Sequence, residues 1–243
     1  MAFSSAPPAL AALRRDALRE ALYGAALLAA LAAATAAGPG VALKAAAVFA
    51  LGLALVLRGL PAHAPHARFG TANRVTLLRL ALVAWLAAGL GEGAGDEATA
   101  WRTIVIATVA ALMDAVDGAF ARAQGLASEF GARFDMETDA LLVLVLSLLV
   151  AQSGQAGAWI VAAGLMRYLF VAAAQPWPWL AGPLPPSTRR KTVCVVQITG
   201  LIVCLGPIIP PAWAQAIAAA TLAMLTASFA VDIGWLWRTR RLA

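Results

Sequence analysis

Four aspartates lie at helical spacing within one stretch of otherwise apolar sequence. Asp114 and Asp117 are three residues apart, and Asp135 and Asp139 are four apart, so each pair shares one face of a helix. The link between the pairs is long enough for a turn, so that two consecutive antiparallel helices would bring the four carboxylates together. Hard oxygen ligands of this kind suit Mg²⁺ or Mn²⁺, and four carboxylates are more than one such ion usually takes from a protein. The spacing therefore predicts a two-metal site.

Small and polar residues accompany these carboxylates. Gly118 and Ala121 lie on or near the face of the first aspartate pair and leave room for a flat ring or a phosphate to approach the backbone. Gly131 does the same at the start of the next helix. Arg122 can grip a phosphate, and Ser128 offers a hydroxyl in the link. Divalent ions, an arginine and an open backbone together indicate transfer of a phosphate group.

Two other interpretations of the aspartates are open at this stage. One is a structural ion-pair network, in which Arg122 serves the first pair and Arg133 the second, but this leaves surplus carboxylates near the bilayer. The other is the proton or cation pathway of a transporter, whose carboxylates are usually dispersed near the midplane of the bilayer. Because the four aspartates are expected at one face, their arrangement favours an enzyme.

The composition places these residues in a membrane. Of the 243 residues, 62% are hydrophobic and only 12% are charged, which is more apolar sequence than a soluble domain needs. A spanning helix takes about 20 apolar residues. The sequence therefore predicts an all-α, polytopic membrane bundle, with spans near 18–37, 41–60, 74–91, 101–121, 134–152, 156–174, 191–208 and 212–237.

The basic residues predict the orientation and do not indicate nucleic-acid binding. The net charge is +6, and most lysines and arginines, Arg74 and Arg79 among them, fall at one set of span ends. The positive-inside rule assigns these ends to the cytoplasm, where they also meet anionic lipid head groups. The sequence therefore predicts a multi-pass protein of the inner (cytoplasmic) membrane whose aspartates face the cytoplasm.

Two segments outside the spans carry weaker signals. Residues 1–13 contain Ser and Pro and are predicted to form a loosely ordered start. Residues 61–72 include His63 and His66 and are predicted to form a short helix on the membrane surface, with both histidines at the interface.

The aspartate segment resembles the signature of the CDP-alcohol phosphotransferases. The family pattern D-x2-D-G-x2-A-R-x8-G-x3-D-x3-D matches at all eight fixed positions between Asp114 and Asp139. Upstream, the segment from Asn73 to Arg79 is similar to the N-x2-T-x2-R element that opens the first core helix of the family. The resemblance covers residues 69 to 237, or six spans. It predicts two accessory helices in residues 1–60, followed by the family's membrane domain in residues 61–243.

The resemblance implies an integral membrane enzyme, usually a homodimer, that moves a substituted phosphate from a CDP-linked donor to an alcohol and releases CMP. By position, Asp114, Asp117 and Asp135 are expected to bind the metals. Asp139 is expected to be the general base and a ligand of the second metal. The positions expected to hold the CDP moiety are Asn73, Thr76, Gly118, Ala121, Arg122, Ser128 and Gly131.

The acceptor alcohol is predicted from basic residues in the later spans. Arg167 is a charge within a span, and Arg189, Arg190 and Lys191 open the next one. Together they could hold a phosphorylated acceptor, although the last three also satisfy the positive-inside rule. Gln197 follows Lys191 at a wider spacing than in the family members that use glycerophosphate.

The leading hypothesis is a phosphatidyltransferase of phospholipid biosynthesis that uses CDP-diacylglycerol as donor and glycerol 3-phosphate as acceptor. Choline, serine and inositol phosphate are alternative acceptors. An enzyme that joins a CDP-linked polar alcohol to diacylglycerol is a close alternative, and a cation-coupled transporter is the alternative from a different class.

Overall fold

The chain is helical in the part that the structure describes. The structure is a computed structural model that describes residues 7–63, 68–93, 96–124 and 128–240, with the side chains of these residues except at 7–9 and 114–124. In these ranges the chain forms eight α-helices and no strand, which confirms the predicted all-α bundle. The helices are α1 (Pro7–Ala34), α2 (Pro39–Gly59), α3 (Thr71–Ala88), α4 (Glu97–Gln124), α5 (Glu129–Gln152), α6 (Val161–Ala173), α7 (Thr188–Cys204) and α8 (Pro211–Thr239). Short 3₁₀ helices occur at Leu60–His63, Ala158–Ile160 and Pro178–Ala181.

The observed helices follow the predicted spans and differ mainly at their ends. The prediction of a loosely ordered start is wrong from residue 7 onward, because α1 already begins at Pro7. The physical reason is that residues 9–13 are all Ala or Leu, the strongest helix formers. Prolines open α2 and α8, where a missing backbone N–H costs no hydrogen bond.

Length and hydropathy separate the helices into two groups. Shorter helices such as α6 and α7, with 13 and 17 residues, fall below the about 20 residues of a full span. The first turns of α5 carry several charged residues, Asp135 and Asp139 among them. Within the described ranges, four segments are long and apolar enough to cross a membrane: Leu10–Ala34, Pro39–His63, Thr71–Ala88 and Pro211–Thr239.

The helices divide into two compact units. One unit contains the described residues up to Gly91 together with Ile106–Asp139, and the other contains Glu92–Val105 together with the described residues from Ala140 onward. The first unit includes α1, α2, α3 and the beginning of α5. The second includes α6, α7 and α8. The predicted division of the chain after residue 60 stays a prediction.

Helix α3 is the inner helix of the first unit. Of its apolar window 67% is buried, compared with 22% for α1 and 17% for α2. Large side chains such as Leu22 on α1 and Leu51 on α2 are exposed, as expected for surfaces that face lipid. The backbone of α2 comes close to α3 at Gly52, because a Cβ there would lie 2.7 Å from a methyl group of Leu80. The two outer helices therefore shield α3 and the polar residues that it carries.

Two carboxylates of α1 bind the first turn of α3 and Phe69, which lies two residues before the helix. Asp16 Oδ2 accepts a hydrogen bond from the backbone N–H of Phe69 at 2.9 Å. Arg74 Nη2 donates to Glu20 Oε1 at 2.5 Å, and its Nε lies 2.5 Å from Oε2 of the same carboxylate. The Glu20 side chain is only 10% exposed, and the Arg74 guanidinium also lies over the ring of Tyr23. Helix α1 thus fixes the N-terminal end of α3 through polar contacts as well as through apolar packing.

Glu20→Gln should lower the thermal unfolding midpoint of the detergent-solubilised protein by about 2–4 °C, since loss of the charge removes about 1 kcal/mol from this partly buried pair. Thermal unfolding followed by circular dichroism measures the shift. Glu97→Gln is the matched control, because Glu97 is an exposed carboxylate in the first turn of α4. Equal midpoints for the two variants would show that the Glu20–Arg74 pair does not stabilise the fold.

The second unit is built on the pairing of α7 with α8. Gly200 of α7 lies against α8, because a Cβ there would come 2.7 Å from the methyl group of Thr221. Near the turn between these helices, the Cys204 thiol donates to the carbonyl of Ala214 at 3.2 Å. At the other end of α8, the Arg240 guanidinium lies over the rings of Trp179 and Trp237. Close packing and the thiol contact therefore hold α7 against α8, and Arg240 joins the end of α8 to the 3₁₀ helix Pro178–Ala181.

Candidate active site

Three polar residues of α3 lie at intervals of three and are buried in the first unit. Asn73 is 5% exposed, Thr76 is 3% exposed and Arg79 is fully buried. Their spacing places them near one face of the helix. The hydroxyl of Thr76 donates to the carbonyl of Ala72 at 3.1 Å, within the helix itself. Arg79 needs partners outside α3, because a buried guanidinium without compensating acceptors is very costly.

Arg79 finds these partners on α4 and α5. Its Nε donates to the backbone carbonyl of Ala110 at 3.1 Å, and its Nη1 donates to Asp135 Oδ1 at 2.6 Å. Its Nη2 donates to Asp139 Oδ1. The planar guanidinium can serve all three acceptors because it carries five N–H groups in a fixed fork. The two aspartates of α5 therefore converge on one buried cation, and they share a face of the helix, as their spacing of four residues predicted.

The two carboxylates remain open to solvent or ligand. The side chain of Asp135 is 38% exposed and that of Asp139 is 20% exposed, whereas the side chain of Arg79 is 1% exposed. Arg79 thus lies beneath the carboxylates and neutralises part of their charge. Arg133, the partner that the ion-pair interpretation assigned to them, has an exposed side chain.

The other half of the aspartate motif belongs to α4. The structure describes the helical backbone there, but several side chains lie outside the described residues. The convergence of all four aspartates therefore stays a prediction, and no group of three or more His, Cys, Asp and Glu side chains in the described part of the chain could hold a metal. The predicted site residues whose side chains lie outside the description are Asp114, Asp117, Gly118, Ala121 and Arg122.

Asn73, Ser128 and Gly131 meet where α5 begins. Ser128 immediately precedes the helix, and its Oγ accepts the backbone N–H of Gly131 at 3.0 Å, as an N-cap does. Asn73 Nδ2 donates to the carbonyl of Phe69 at 2.5 Å. A Cβ at Gly131 would lie 3.0 Å from Asn73 Oδ1 and 3.4 Å from Ser128 Oγ. A side chain at position 131 would therefore crowd both groups, and three predicted CDP-binding positions lie together.

His63 joins this cluster, and its predicted place at the membrane surface is wrong. The ring is fully buried, with Nδ1 2.7 Å from Ser128 Oγ and Nε2 2.9 Å from the carbonyl of Arg68. Of the predicted surface helix at 61–72, the structure describes the 3₁₀ turn Leu60–His63, residues 68–70 and the first two residues of α3. The physical reason is that both ring nitrogens find polar partners inside the protein, so the ring can leave the interface. His66 lies outside the described residues.

Arg79 is a site residue that the distribution of basic residues along the sequence does not distinguish from the other arginines at span ends. Its position near a span end fits the positive-inside rule, which accounts for the charge by topology alone, although Arg79 lies in the N-x2-T-x2-R element. Four carboxylates in apolar surroundings require buried positive charge, and this requirement is the signal that could have identified it.

The four predicted acceptor-binding residues lie in the second unit, on α6 and α7. Arg189 Nη1 donates to the carbonyl of Ser228 at 2.6 Å, and Nη2 donates to Asp232 Oδ1 at 2.5 Å. Arg190 Nη1 donates to the same Asp232 oxygen at 3.3 Å. Lys191 is exposed and Arg167 is half-buried. Asp232 thus brings Arg189 and Arg190 together, and this acid on α8 had no signal in the spacing of the basic residues.

The family model of the CDP-alcohol phosphatidyltransferases matches residues 69–231. Two proteins of Mycobacterium tuberculosis, from strains CDC 1551 / Oshkosh and ATCC 25618 / H37Rv, are each 30% identical to this chain over 156 residues. The aligned region covers 63% of this chain and 74% of each relative, and both relatives bear the name "Probable phosphatidylglycerophosphate synthase". No solved structure matches the chain significantly.

The matched region begins at Phe69, which Asp16 and Asn73 both bind, and it contains the complete aspartate motif. The fold, the motif and the two relatives agree: the chain belongs to the CDP-alcohol phosphatidyltransferase family.

Proposed function

We propose that the chain transfers the phosphatidyl group of CDP-diacylglycerol to glycerol 3-phosphate and releases CMP. The observation that carries this proposal is the convergence of Asp135 and Asp139, two carboxylates of the motif, on the buried Arg79. The choice of acceptor is supported by the name of the two mycobacterial relatives. The reaction joins a lipid to a polar alcohol, which agrees with its location in a membrane helical bundle.

The donor set of the motif fits divalent metal ions. Asp135 and Asp139 offer hard oxygen atoms from one face of α5, and both side chains are partly exposed above Arg79. Together with Asp114 and Asp117, they would hold Mg²⁺ or Mn²⁺, with two ions expected. When bound, these ions neutralise the pyrophosphate of the donor and stabilise CMP as the leaving group.

The residues of the chain supply the remaining chemistry. Asp139 accepts the proton of the acceptor hydroxyl, whose oxygen forms a new bond to the phosphorus that carries the diacylglycerol. The bond from this phosphorus to the CMP oxygen breaks, so that CMP leaves with the electron pair. Arg79 holds Asp139 in place through its Nη2 contact. The residues proposed to bind the CDP moiety are Asn73, Thr76, Gly118, Ala121, Arg122, Ser128 and Gly131.

The acceptor proposal also has support from the charges of the second unit. Arg189 and Arg190 share the single carboxylate of Asp232, so this cluster keeps an excess positive charge. Lys191 adds a further charge on the same helix, and Arg167 lies half-buried on α6. We propose that these basic residues bind the phosphate of glycerol 3-phosphate.

The cellular setting is part of the proposal. The positive-inside distribution supports a place in the inner membrane with the active site facing the cytoplasm, where CDP-linked donors and polar alcohols are available. A homodimer is the proposed assembly.

Product analysis tests the proposed function. Purified protein in detergent is incubated with CDP-diacylglycerol, Mg²⁺ or Mn²⁺ and a panel of acceptors, and CMP and lipid products are measured by mass spectrometry. We expect CMP and phosphatidylglycerophosphate with glycerol 3-phosphate, and neither without a divalent ion. Turnover only with choline, serine or inositol phosphate would contradict the acceptor, and turnover only of a CDP-linked polar alcohol with diacylglycerol would contradict the donor. Solute uptake into sealed vesicles without release of CMP would point to a transporter instead.

A further inference from the structure

We infer that His63 is a positioning residue for the CDP-binding end of α5. It lies before the region that the family model matches, yet it binds Ser128 inside the first unit. This inference rests on the proposed function only in naming CDP-diacylglycerol as the ligand that is positioned.

The partners of the imidazole define which nitrogen carries the proton. The carbonyl of Arg68 can only accept a hydrogen bond, so Nε2, 2.9 Å away, donates to it. In the neutral ring Nδ1 then has a lone pair, and it accepts the hydroxyl proton of Ser128 at 2.7 Å. Ser128 Oγ in turn accepts the N–H of Gly131 at 3.0 Å. The three hydrogen bonds form one directed chain, from the N–H of Gly131 through Ser128 and His63 to the carbonyl of Arg68.

Aromatic packing restricts the orientation of the ring. His63 meets Phe130 edge to face, with 5.5 Å between ring centroids and 63° between planes. Phe130 also packs against Phe69 and Phe134. Since the ring is fully buried among these contacts, its Nδ1 stays directed at Ser128.

The consequence falls on Ser128 and Gly131, both predicted to bind the CDP moiety. Without the acceptor at Nδ1, the Ser128 hydroxyl loses its fixed direction. The hydrogen bond from the N–H of Gly131 to Ser128 Oγ, which caps the first turn of α5, is then held less firmly. The hydrogen bond of His63 to Ser128 acts at the start of α5, where the CDP moiety is proposed to bind. We therefore expect its loss to weaken binding of the donor more than it slows the chemical step.

Two substitutions of His63 separate its two hydrogen bonds. His63→Asn places an amide oxygen near the position of Nδ1, where it can accept from Ser128, and gives up the bond to Arg68. His63→Gln places an amide nitrogen near the position of Nε2, where it can donate to Arg68, and gives up the bond to Ser128. We expect His63→Gln to raise the KM for CDP-diacylglycerol about tenfold. His63→Asn should change it less than about threefold, and kcat should stay within about twofold of the wild type in both.

Ser128→Ala removes the hydrogen bond between Ser128 and His63 by deleting the hydroxyl. It provides a second test of this hydrogen bond if a histidine variant folds poorly. It should raise the KM at least as much as His63→Gln does, because it also removes the contact with the N–H of Gly131. The double variant should show no increase beyond that of Ser128→Ala alone, because the His63–Ser128 contact is already broken there. Independent, multiplying effects of the two substitutions would overturn the inference. Equal KM values for His63→Gln and His63→Asn would overturn it too, since a residue that only fills space does not distinguish the two amides.

Hydrogen–deuterium exchange of the ligand-free protein gives a readout that does not depend on turnover. Peptides that cover residues 128–134 should exchange faster in His63→Gln and Ser128→Ala than in the wild type or in His63→Asn. If the wild type turns over no CDP-linked donor, the proposed function fails, while the exchange pattern still decides whether His63 positions the start of α5. Unchanged exchange in both Ser128→Ala and His63→Gln would reject the inference.

Discussion

Asp139→Asn should abolish CMP release while the protein still folds. Removal of a general base lowers kcat by about 10²–10⁴-fold, and this variant also removes one of the proposed metal ligands, so the loss should lie at the upper end. The amide keeps an oxygen in the place of Asp139 Oδ1, where Arg79 Nη2 donates. We therefore expect a much smaller effect on the unfolding midpoint than on turnover. CMP release from CDP-diacylglycerol with glycerol 3-phosphate, under saturating Mg²⁺, measures the change in kcat.

Glu137→Gln provides the control for this experiment. Glu137 lies on the same helix, two residues before Asp139, and its side chain is exposed. It occupies a variable position of the motif, so its loss should leave kcat near the wild-type value. An Asp139→Asn variant that retains more than about a tenth of wild-type kcat would remove Asp139 from the role of general base.

Arg79→Ala should destabilise the protein by about 3–5 kcal/mol, since it leaves the carboxylates of Asp135 and Asp139 without their shared buried cation. The orphaned carbonyl of Ala110 adds to this cost. Activity should be lost together with stability, because Arg79 holds both carboxylates at their positions. Thermal unfolding in detergent, with and without Mg²⁺, measures the effect, and a metal that binds the orphaned carboxylates should recover part of the loss.

Arg79→Lys separates the charge of Arg79 from its geometry. A lysine keeps the positive charge, but its compact ammonium cannot reach three acceptors in the arrangement that the planar guanidinium serves. It should unfold at a temperature between those of Arg79→Ala and the wild type, and its kcat should fall well below that of the wild type. Arg102→Met is a control, because Arg102 is an exposed arginine near the start of α4. If Arg79→Ala unfolds at the wild-type temperature, the buried ion pairs are not what stabilises this site.

The fold could be predicted from the sequence because a membrane helix can be recognised from the composition of the segment that forms it. Apolar runs interrupted by Gly and Pro predict where helices lie, and eight α-helices occur in the described chain close to the predicted spans. The pairing of Asp135 with Asp139 could be predicted for the same reason, since a spacing of four residues fixes a shared helix face. Each of these inferences needs information from only a few consecutive turns.

The contacts that sequence reasoning missed depend on distant parts of the chain. Arg79 lies 56 residues before Asp135, and His63 lies 65 residues before Ser128. An arginine near a span end satisfies the positive-inside rule whether it faces lipid head groups or a buried carboxylate, so its position alone does not distinguish the two. A histidine in a loop has no periodicity at all. Only the packing of α3 against α5, and the turn at Leu60–His63, assigns these side chains their partners.

The contacts of α1 with the start of α3 affect whether the region that the family model matches can be expressed without the residues before it. A fragment cut at the matched boundary would keep Phe69 and Arg74 but lose Asp16 and Glu20, the acids that bind them. Chimeras that exchange this region between relatives therefore need a junction upstream of α1. Asp16 and Glu20 then stay in the same chain as their partners, the backbone N–H of Phe69 and the guanidinium of Arg74.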